Sequence, residues 1–589
     1  MSENENKFIK SFQGTKNSIQ FFYNIFKKKV KSRFNHFLVL LRASFTHSFQ
    51  EQEQKRERHA KNLHALLPQN ERFNYSILLI YDQPIETHFF ESLESILNQS
   101  APYLEVIIGF TSQPKHGILE TIEKFQKKFS TKLRYIAAPK NSTKTSIFNL
   151  LAKEAKGNYL IFTDQDGKMR PDLLLRFEQT LRLLTEPEMT LLYSDEYKIV
   201  KPDKWVQGHP LSKLDSFNFP YYCTTFIPGA FLISAKSWNS VEGLRDICNG
   251  AHFYDLMLRL DLAGVKFCKI PIPLYARRKT YQLEGEKAPL MAIRALQDYA
   301  NKKNLHWNIT TGSLPGTLRA IPVLNQVPSI QAVIPFKNQK SLTLAAVHSL
   351  KEQIGVNLKI TAVDNRSDDL SIAEELMKMD VEVLKIDEPF NFSRLNNLAI
   401  EQSKYKEDCD LLFFMNNDVE LEKDALLEMC RWIYQPKIGM VGCRLNYPTG
   451  KLQCGGVDAI PTDTAFRLSW VHTECGKPFE NLTIQRILRV VTGVHGAALL
   501  IKRETFKQID GFEEIWYPVS YSDTNLSIKI NSLGLLAFYT PFALGIHHES
   551  ISRERDITIE DYEGTSWLNE KYLSYWGLRK STLAKDNYQ

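Results

Sequence analysis

Twice in this chain an apolar run ends in an acidic turn. Leu411-Leu412-Phe413-Phe414-Met415 runs into Asn416-Asn417-Asp418, and Leu160-Ile161-Phe162-Thr163 runs into Asp164-Gln165-Asp166. A short apolar run closed by polar residues reads as a strand buried on both faces. Ligands of open α/β sheets bind beyond the carboxyl ends of such strands. An acid delivered there can hold Mg²⁺ or Mn²⁺ through oxygen, and the metal can hold a diphosphate; the bland alternative is a cap for the next helix. Each run also follows a helix-like stretch, Leu151 to Gly157 and Leu398 to Ser403. The two turns lie about 250 residues apart, so the chain reads as a tandem duplication of one α/β domain.

At 589 residues the chain has room for more than one domain, and its 43% hydrophobic and 24% charged residues are those of a globular protein. Residues 73–300 read as a first α/β body, with strand Tyr75 to Tyr81, helix Phe89 to Leu97 and strand Leu104 to Phe110. Residues 301–328, with Gly312, Pro315 and Gly316, read as a connector. Residues 329–555 repeat the pattern: strand Gln331 to Ile334, helix Leu342 to Glu352, strands Leu358 to Val363 and Val381 to Ile386. Residues 556–589, with Trp567, Tyr572, Tyr575 and Trp576, read as a helical extension.

The net charge of +7 is concentrated at the amino terminus. Residues 1–72 hold 14 Lys and Arg against 6 Asp and Glu, or +8, which leaves the rest near −1. Phe8, Ile9, Phe12, Ile19, Phe21, Phe22, Ile25 and Phe26 recur at helical spacing before Lys27-Lys28-Lys29. Such a basic amphipathic arm suits an anionic membrane surface, or packs on the body with a solvated basic face. Nucleic acid is not expected as a partner, because no groove-reading motif accompanies the charges. No apolar stretch is long enough to span a bilayer, and Met1 to Lys7 lacks a signal-peptide pattern. The 8 cysteines show no paired or zinc-ligand spacing. The expected location is cytoplasmic, with peripheral contact at the inner face of the plasma membrane through the arm.

In the second body, polar elements follow strands in order. Ile334-Pro335-Phe336-Lys337-Asn338 ends the first strand and Val363-Asp364-Asn365-Arg366-Ser367 the second. Asp364 is suited to accept hydrogen bonds from a nucleobase imide or a ribose, or to cap a helix. This part of the chain resembles the family 2 glycosyltransferases of the GT-A fold, in particular bacterial enzymes that extend O-antigen or capsule chains, rhamnosyltransferases included. The resemblance rests on IPFKN, VDNRS, FNFSRLNN, FFMNNDVEL, YPTGKLQCGG, TGVHGAALLIKRETF, SDTNLSIK and HHESISRERD, in that order across most of residues 329–560.

The resemblance implies an α/β protein of two tandem GT-A domains that moves a sugar, with inversion, from a nucleotide-sugar donor to a surface-polysaccharide or lipid-linked acceptor. It implies Asp364 on the donor base, Asp418 and His547 on Mg²⁺ or Mn²⁺, and Asp523 as the general base. Pro335, Asn338, Asn365, Asn396 and Asn417 are the accompanying donor-binding candidates. His547 as a structural histidine and Asp523 as a helix cap are the bland alternatives. Two positions depart from the family pattern: Asn525 stands where a second acid is usual, and Cys454 where a histidine is usual.

The first body resembles the same superfamily more faintly, through AKGNYLIFTDQD, LLYSDEYKI and YDLMLR. Asp164 and Asp166 are its metal candidates and Asp195 its donor-sugar candidate. Gly109-Phe110-Thr111-Ser112 stands where the base-reading acid is expected, Ile80 to Gln83 where Pro and Asn are usual, Phe253 at the catalytic acid and Ala276 at the histidine, with His252 or Asp255 as substitutes for the missing base. The first domain is therefore expected to be degenerate and the second catalytic. The alternatives are a bifunctional transferase with both domains active and a non-catalytic glycan-binding scaffold.

Overall fold

A computed structural model describes residues 73–548, apart from 83–84, 112, 115, 130–132, 138, 140–141, 200–222, 225–228, 279–285 and 462–467. The expectations for the basic arm and for residues 556–589 fall outside the described residues.

Two sheets repeat one topology. In the first, the strands lie in the order Leu133–Ala137, Glu105–Phe110, Tyr75–Tyr81, Tyr159–Asp164, Phe231–Ser234, Thr190–Lys198, Lys266–Arg277, Gly167–Met169. In the second the order is Glu382–Lys385, Asn357–Asp364, Ser329–Phe336, Leu411–Met415, Ala498–Lys502, Ile438–Asn446, Leu536–His547, Val419–Leu421. The sense of every pairing is also the same: the first four strands are parallel, the fifth is antiparallel to both neighbours, the sixth and seventh are parallel, and the short eighth is antiparallel. The second sheet adds Leu452–Cys454 and Arg489–Val491 at its flank.

The central strands are apolar on both faces because helices cover both. Every residue of Tyr75–Tyr81 and of Leu411–Met415 is buried. The fourth strand of each sheet is preceded by a side-chain-capped helix: Thr143 Oγ1 accepts from Ser146 N ahead of Lys144–Glu154, and Asn391 Oδ1 accepts from Arg394 N ahead of Phe392–Gln402. The sixth residue after each cap is also matched. Asn149 grips both the N–H and the C=O of Leu244, and Asn397 does the same to Phe512. Each grip fixes the loop that leads into the next site-bearing helix.

The stretch expected to be a plain connector carries a hairpin, Trp307–Thr311 paired antiparallel with Leu318–Pro322. Its turn residues Gly312, Pro315 and Gly316 draw the eye as loop, but Leu318, Ala320 and Pro322 alternate into the core as a half-buried strand does. Trp307 Nε1 donates to Gln435 Oε1 at 3.1 Å, Arg319 pairs with Glu428 at 3.2 Å, and Thr317 bridges to Thr224 of the first domain. One apolar cluster consequently runs from Leu78 and Leu160 through Trp307 and Leu318 to Phe413 and Trp432.

Candidate active site

The parallel strands of the second sheet deliver Phe336, Asp364 and Met415 to one edge, and the antiparallel neighbour starts there. Met415 pairs with Ala498, and Asn416 N donates to Ala497 O at 3.1 Å. The loop before that strand supplies Gly496, whose N–H donates to Asp523 Oδ2 at 2.7 Å. Thr524 completes the cradle, its N–H at 2.6 Å and its hydroxyl at 3.1 Å from Asp523 Oδ1. Asp523 is the second residue of helix Ser522–Ser532, and Tyr521 ahead of that helix has φ of 58°. A bulky residue in this left-handed region is strained, and such strain persists where surrounding contacts impose it.

Val419 pairs with His547, which sets the imidazole beside the preceding Asp418. His547 Nε2 lies 3.2 Å from Asp418 Oδ1, and that oxygen is buried and accepts no hydrogen bond among the described residues. On its far side His547 Nδ1 lies 2.8 Å from Gln453 Oε1. An amide oxygen only accepts, so Nδ1 donates to Gln453 and Nε2 is turned toward Asp418. Nε2 and Oδ1 face each other across a buried gap that a proton or a metal ion can fill. Two neighbouring ligands of an octahedral ion, each about 2.1 Å from it, stand about 3.0 Å apart. Asp418 and His547 fit two ligand positions of Mg²⁺ or Mn²⁺, and no third His, Cys, Asp or Glu joins them among the described residues.

Asp364 is buried at its strand end, with Oδ1 taken by Ser367 N at 2.9 Å. The asparagine side chains make hydrogen bonds within the protein. Asn338, at φ 56°, exchanges two hydrogen bonds with Asp368, 3.0 and 2.8 Å. Asn365 Nδ2 donates to Ile386 O and Glu388 O, and Asn417 Nδ2 donates to Thr343 Oγ1 at 3.0 Å. Asn396 is wholly buried, its Nδ2 turned back on Phe392 O. Pro335 is buried inside its strand. Asn338, Asn365 and Asn417 tie loops at this sheet edge to one another, beside Asp364, Asp418, Asp523 and His547.

Sequence reasoning left three contributors unassigned. Gln453 orients His547 and sits next to Cys454, whose thiol burial pushes above its ordinary range and whose Sγ lies 3.0 Å from His472 Nδ1. His495 stacks between His472 and His547, with ring centroids 5.5 and 5.8 Å away. His495 and Gln453 stood inside quoted motifs; what hid them is that their partners are distant in sequence.

The shared topology locates each equivalent position in the first domain. Tyr81 pairs with Phe110 as Phe336 pairs with Asp364, so Phe110, one residue beyond Gly109, holds the base-reader's place. Gly167 pairs with Arg277 as Val419 pairs with His547, so the residue in the histidine's place is Arg277, a correction to the expectation of Ala276. Asp166 precedes Gly167 as Asp418 precedes Val419. Counted from the caps, Phe148 stands for Asn396, and Phe253 stands for Asp523 as the second residue of helix His252–Leu262. Phe148 and Phe253 pack on each other, centroids 5.1 Å apart, against Phe162 and Phe231.

The charged remainder is neutralised internally. Arg277 Nη2 lies 3.4 Å and the Tyr275 hydroxyl 3.2 Å from the Asp164 carboxylate, and His88 Nδ1 lies 3.6 Å from Asp166 Oδ1. Asp195 is buried beside Lys269 at 3.5 Å. Neither substitute base is equipped for the work. Asp255 is clamped between Arg245 Nε at 3.1 Å and Arg259 Nε at 2.8 Å. His252 is buried, and loss of solvent holds its pKa down at about 4. The Arg277 guanidinium stands where the second domain has His547.

The sequence profile of glycosyl transferase family 2 matches residues 88–238 and 331–510, more than half of the chain, once in each domain. The chain belongs to glycosyl transferase family 2. Asp523 and His547 lie beyond the second match. O-antigen biosynthesis protein RfbC of Myxococcus xanthus is 29% identical over 437 residues, covering 71% of this chain and 32% of that protein. The N-acetylglucosaminyl-diphospho-decaprenol L-rhamnosyltransferase of Mycobacterium tuberculosis is 30% identical over 144 residues, 23% of this chain and 44% of that protein. The chain thus spans less than half the length of each of these two relatives. Among solved structures, the mannosyltransferase PcManGT of Pyrobaculum calidifontis, in complex with GDP-Man and Mn²⁺, aligns with 39% of this chain and 59% of its own, at 17% identity and a TM-score of 0.29. No helix among the described residues is long and apolar enough to cross a membrane.

Proposed function

We propose that the second domain is a metal-dependent, inverting glycosyltransferase that moves a sugar from a nucleotide-diphosphate donor to a surface-polysaccharide or lipid-linked glycan. The observation that carries the reading is the cation gap between Asp418 and His547, built on the same sheet edge as Asp364 and Asp523. Asp364 would accept from the donor base or ribose. Bound Mg²⁺ or Mn²⁺, held by Asp418 and His547, supplies Lewis-acid neutralisation of the leaving diphosphate. Asp523, held in place by Gly496 and Thr524, takes the proton of the acceptor hydroxyl. The acceptor oxygen bonds to the anomeric carbon as the bond to the diphosphate oxygen breaks. Attack from the face opposite the leaving group inverts that carbon.

In the first domain, phenylalanine at the base-reading and proton-accepting positions and Arg277 at the metal position support a non-catalytic role. The basic arm would hold the enzyme at the inner membrane face; that part of the reading rests on sequence alone. The test offers the full chain a panel of nucleotide sugars with Mg²⁺ or Mn²⁺ and reads nucleotide release. Metal-dependent release from one donor, lost in Asp418→Ala and reduced in Asp523→Asn, is the expected result. Absence of both release and metal-dependent nucleotide binding by calorimetry would overturn it.

A further inference from the structure

On the flank of the second sheet lies a cleft of about 390 Å³ lined by Arg444, Arg486, Phe479, Phe542, Glu422 and Asp424 among others. This is within the size range of small-ligand sites. Arg444 is the unusual member. It projects from strand Ile438–Asn446, with its guanidinium 4.4 Å from the Phe479 ring centroid. Its Nε is buried, and it has neither a hydrogen bond nor an ion pair among the described residues. Burial pulls its pKa below the ordinary guanidinium range, and Arg486 adds to that pull.

Arg486 stands 4.7 Å from the same ring. Its Nε is also buried without a partner, although the head group donates to Ser313 O at the hairpin turn and Ser313 Oγ donates to Arg486 O at 3.0 Å. Two guanidiniums are therefore held around one ring with no direct ion pair to a carboxylate among the described residues. A cation kept from water without a counter-charge is costly unless an anion arrives, and ring faces compensate only in part.

The rest of the lining narrows the ligand. Glu422 and Asp424 are exposed at the rim, so a polyanion meets repulsion there. Carboxylates at a rim accept hydroxyl protons, while Phe479 and Phe542 offer apolar faces. The combination suits a ring rich in hydroxyls that bears a single negative group. Arg444 pairs with Leu544, three residues before His547 on its strand, and that odd spacing sets the cleft on the face of the sheet opposite the His547 side chain. The cleft is also specific to the second domain. Counting from Tyr193 and Gly442, which pair with the matched residues Phe231 and Leu499, the place of Arg444 is taken in the first domain by Asp195, already paired with Lys269.

We propose that this cleft binds a saccharide residue carrying one anionic group, a carboxylate or a phosphate, at a site separate from the one described above. The test titrates the full chain, without nucleotide, with methyl glucuronide, glucose 1-phosphate and neutral methyl glucoside. The charged sugars should bind and the neutral one far less, with Arg444→Gln weakening the charged ones about tenfold, as loss of a charge-assisted bond does. Preference for the glucuronide would identify an acidic glycan, and preference for the phosphate a phosphorylated one. Nucleotide release from the donor, measured without acceptor, should be equal in wild type and Arg444→Gln, which keeps failure of this site distinct from failure of the catalytic one. Equal binding of neutral and charged sugars, no binding, or indifference to Arg444→Gln would overturn the proposal. Should that variant not fold, exposed Phe479→Ala decides: undiminished binding of the charged sugars overturns it.

Discussion

The two domains share the eight strand positions of the first sheet and differ at the sheet edge where chemistry would occur. Asp364, Asn396 and Asp523 of the second are Phe110, Phe148 and Phe253 of the first, and His547 is Arg277. Scaffold residues did not follow. Asn149 and Asn397 still make the same pair of bonds, and Arg278 N and His548 N still donate to the carbonyls of Asp166 and Asp418, at 2.9 and 3.0 Å. Packing and site therefore diverge independently on one fold. The requirement for burial keeps the first, while the second drifts toward whatever fills the space.

The sharpest way to break this comparison is to remove a carboxylate from the first turn of the site-bearing helix in each half. Asp523→Asn should lower sugar transfer by about 10²–10⁴-fold. Asp255→Asn, at the clamped acid of the first domain, should leave transfer unchanged at equal folded concentration. It should instead cost about 3–5 kcal/mol of stability in denaturant titration, because Arg245 and Arg259 lose their partner. A rate loss in Asp255→Asn would mean that the first domain has chemistry of its own.

At the acidic turns, Asp418→Ala should reduce transfer on the order of 10³-fold, the loss of several kcal/mol of charge stabilisation. Asp166→Ala should change it by less than about twofold, a few tenths of a kcal/mol. Matching losses would restore the bifunctional reading. Metal affinity, followed by Mn²⁺ titration, should fall about 10–100-fold in Gln453→Ala, because the orientation of His547 is lost.

The scaffold comparison predicts similarity where the site comparison predicts contrast. Asn149→Ala and Asn397→Ala should each cost about 1–3 kcal/mol, leaving a loop N–H and C=O without partners. The smallest effect concerns pH. His252, buried neutral with a pKa of about 4, takes up a proton more readily when unfolded, at about 6.5. Stability should therefore fall as pH drops from about 6.5 toward about 4, because the unfolded state binds the extra proton. His252→Gln should flatten that slope in thermal melts, whereas the equivalent Ser522 contributes none.

Much of this could be read from residues alone. The duplication shows because apolar strands ending in acids are rare enough to notice twice, and Asp364, Asp418, Asp523 and His547 fall in ordered motifs. Phe110 and Arg277 could not be placed to the residue, since one step of strand register moves a side chain to the opposite face. Asn338, Asn365 and Asn417 read as ligand contacts because asparagine after a strand suits either purpose; their use as loop ties depends on partners in other segments. The hairpin at Trp307–Thr311 and Leu318–Pro322 was obscured by its own turn residues.

The aromatic cluster of the first domain constrains its own replacement. Phe148, Phe162, Phe231 and Phe253 touch one another, so placing one polar residue among them would strand it without water or partner, a penalty of about 1–3 kcal/mol. An acid would fare worse. A polar residue at any one of these positions is therefore tolerated only if its neighbours change with it, so the four rings act as one packing unit that sets the shape of this end of the domain.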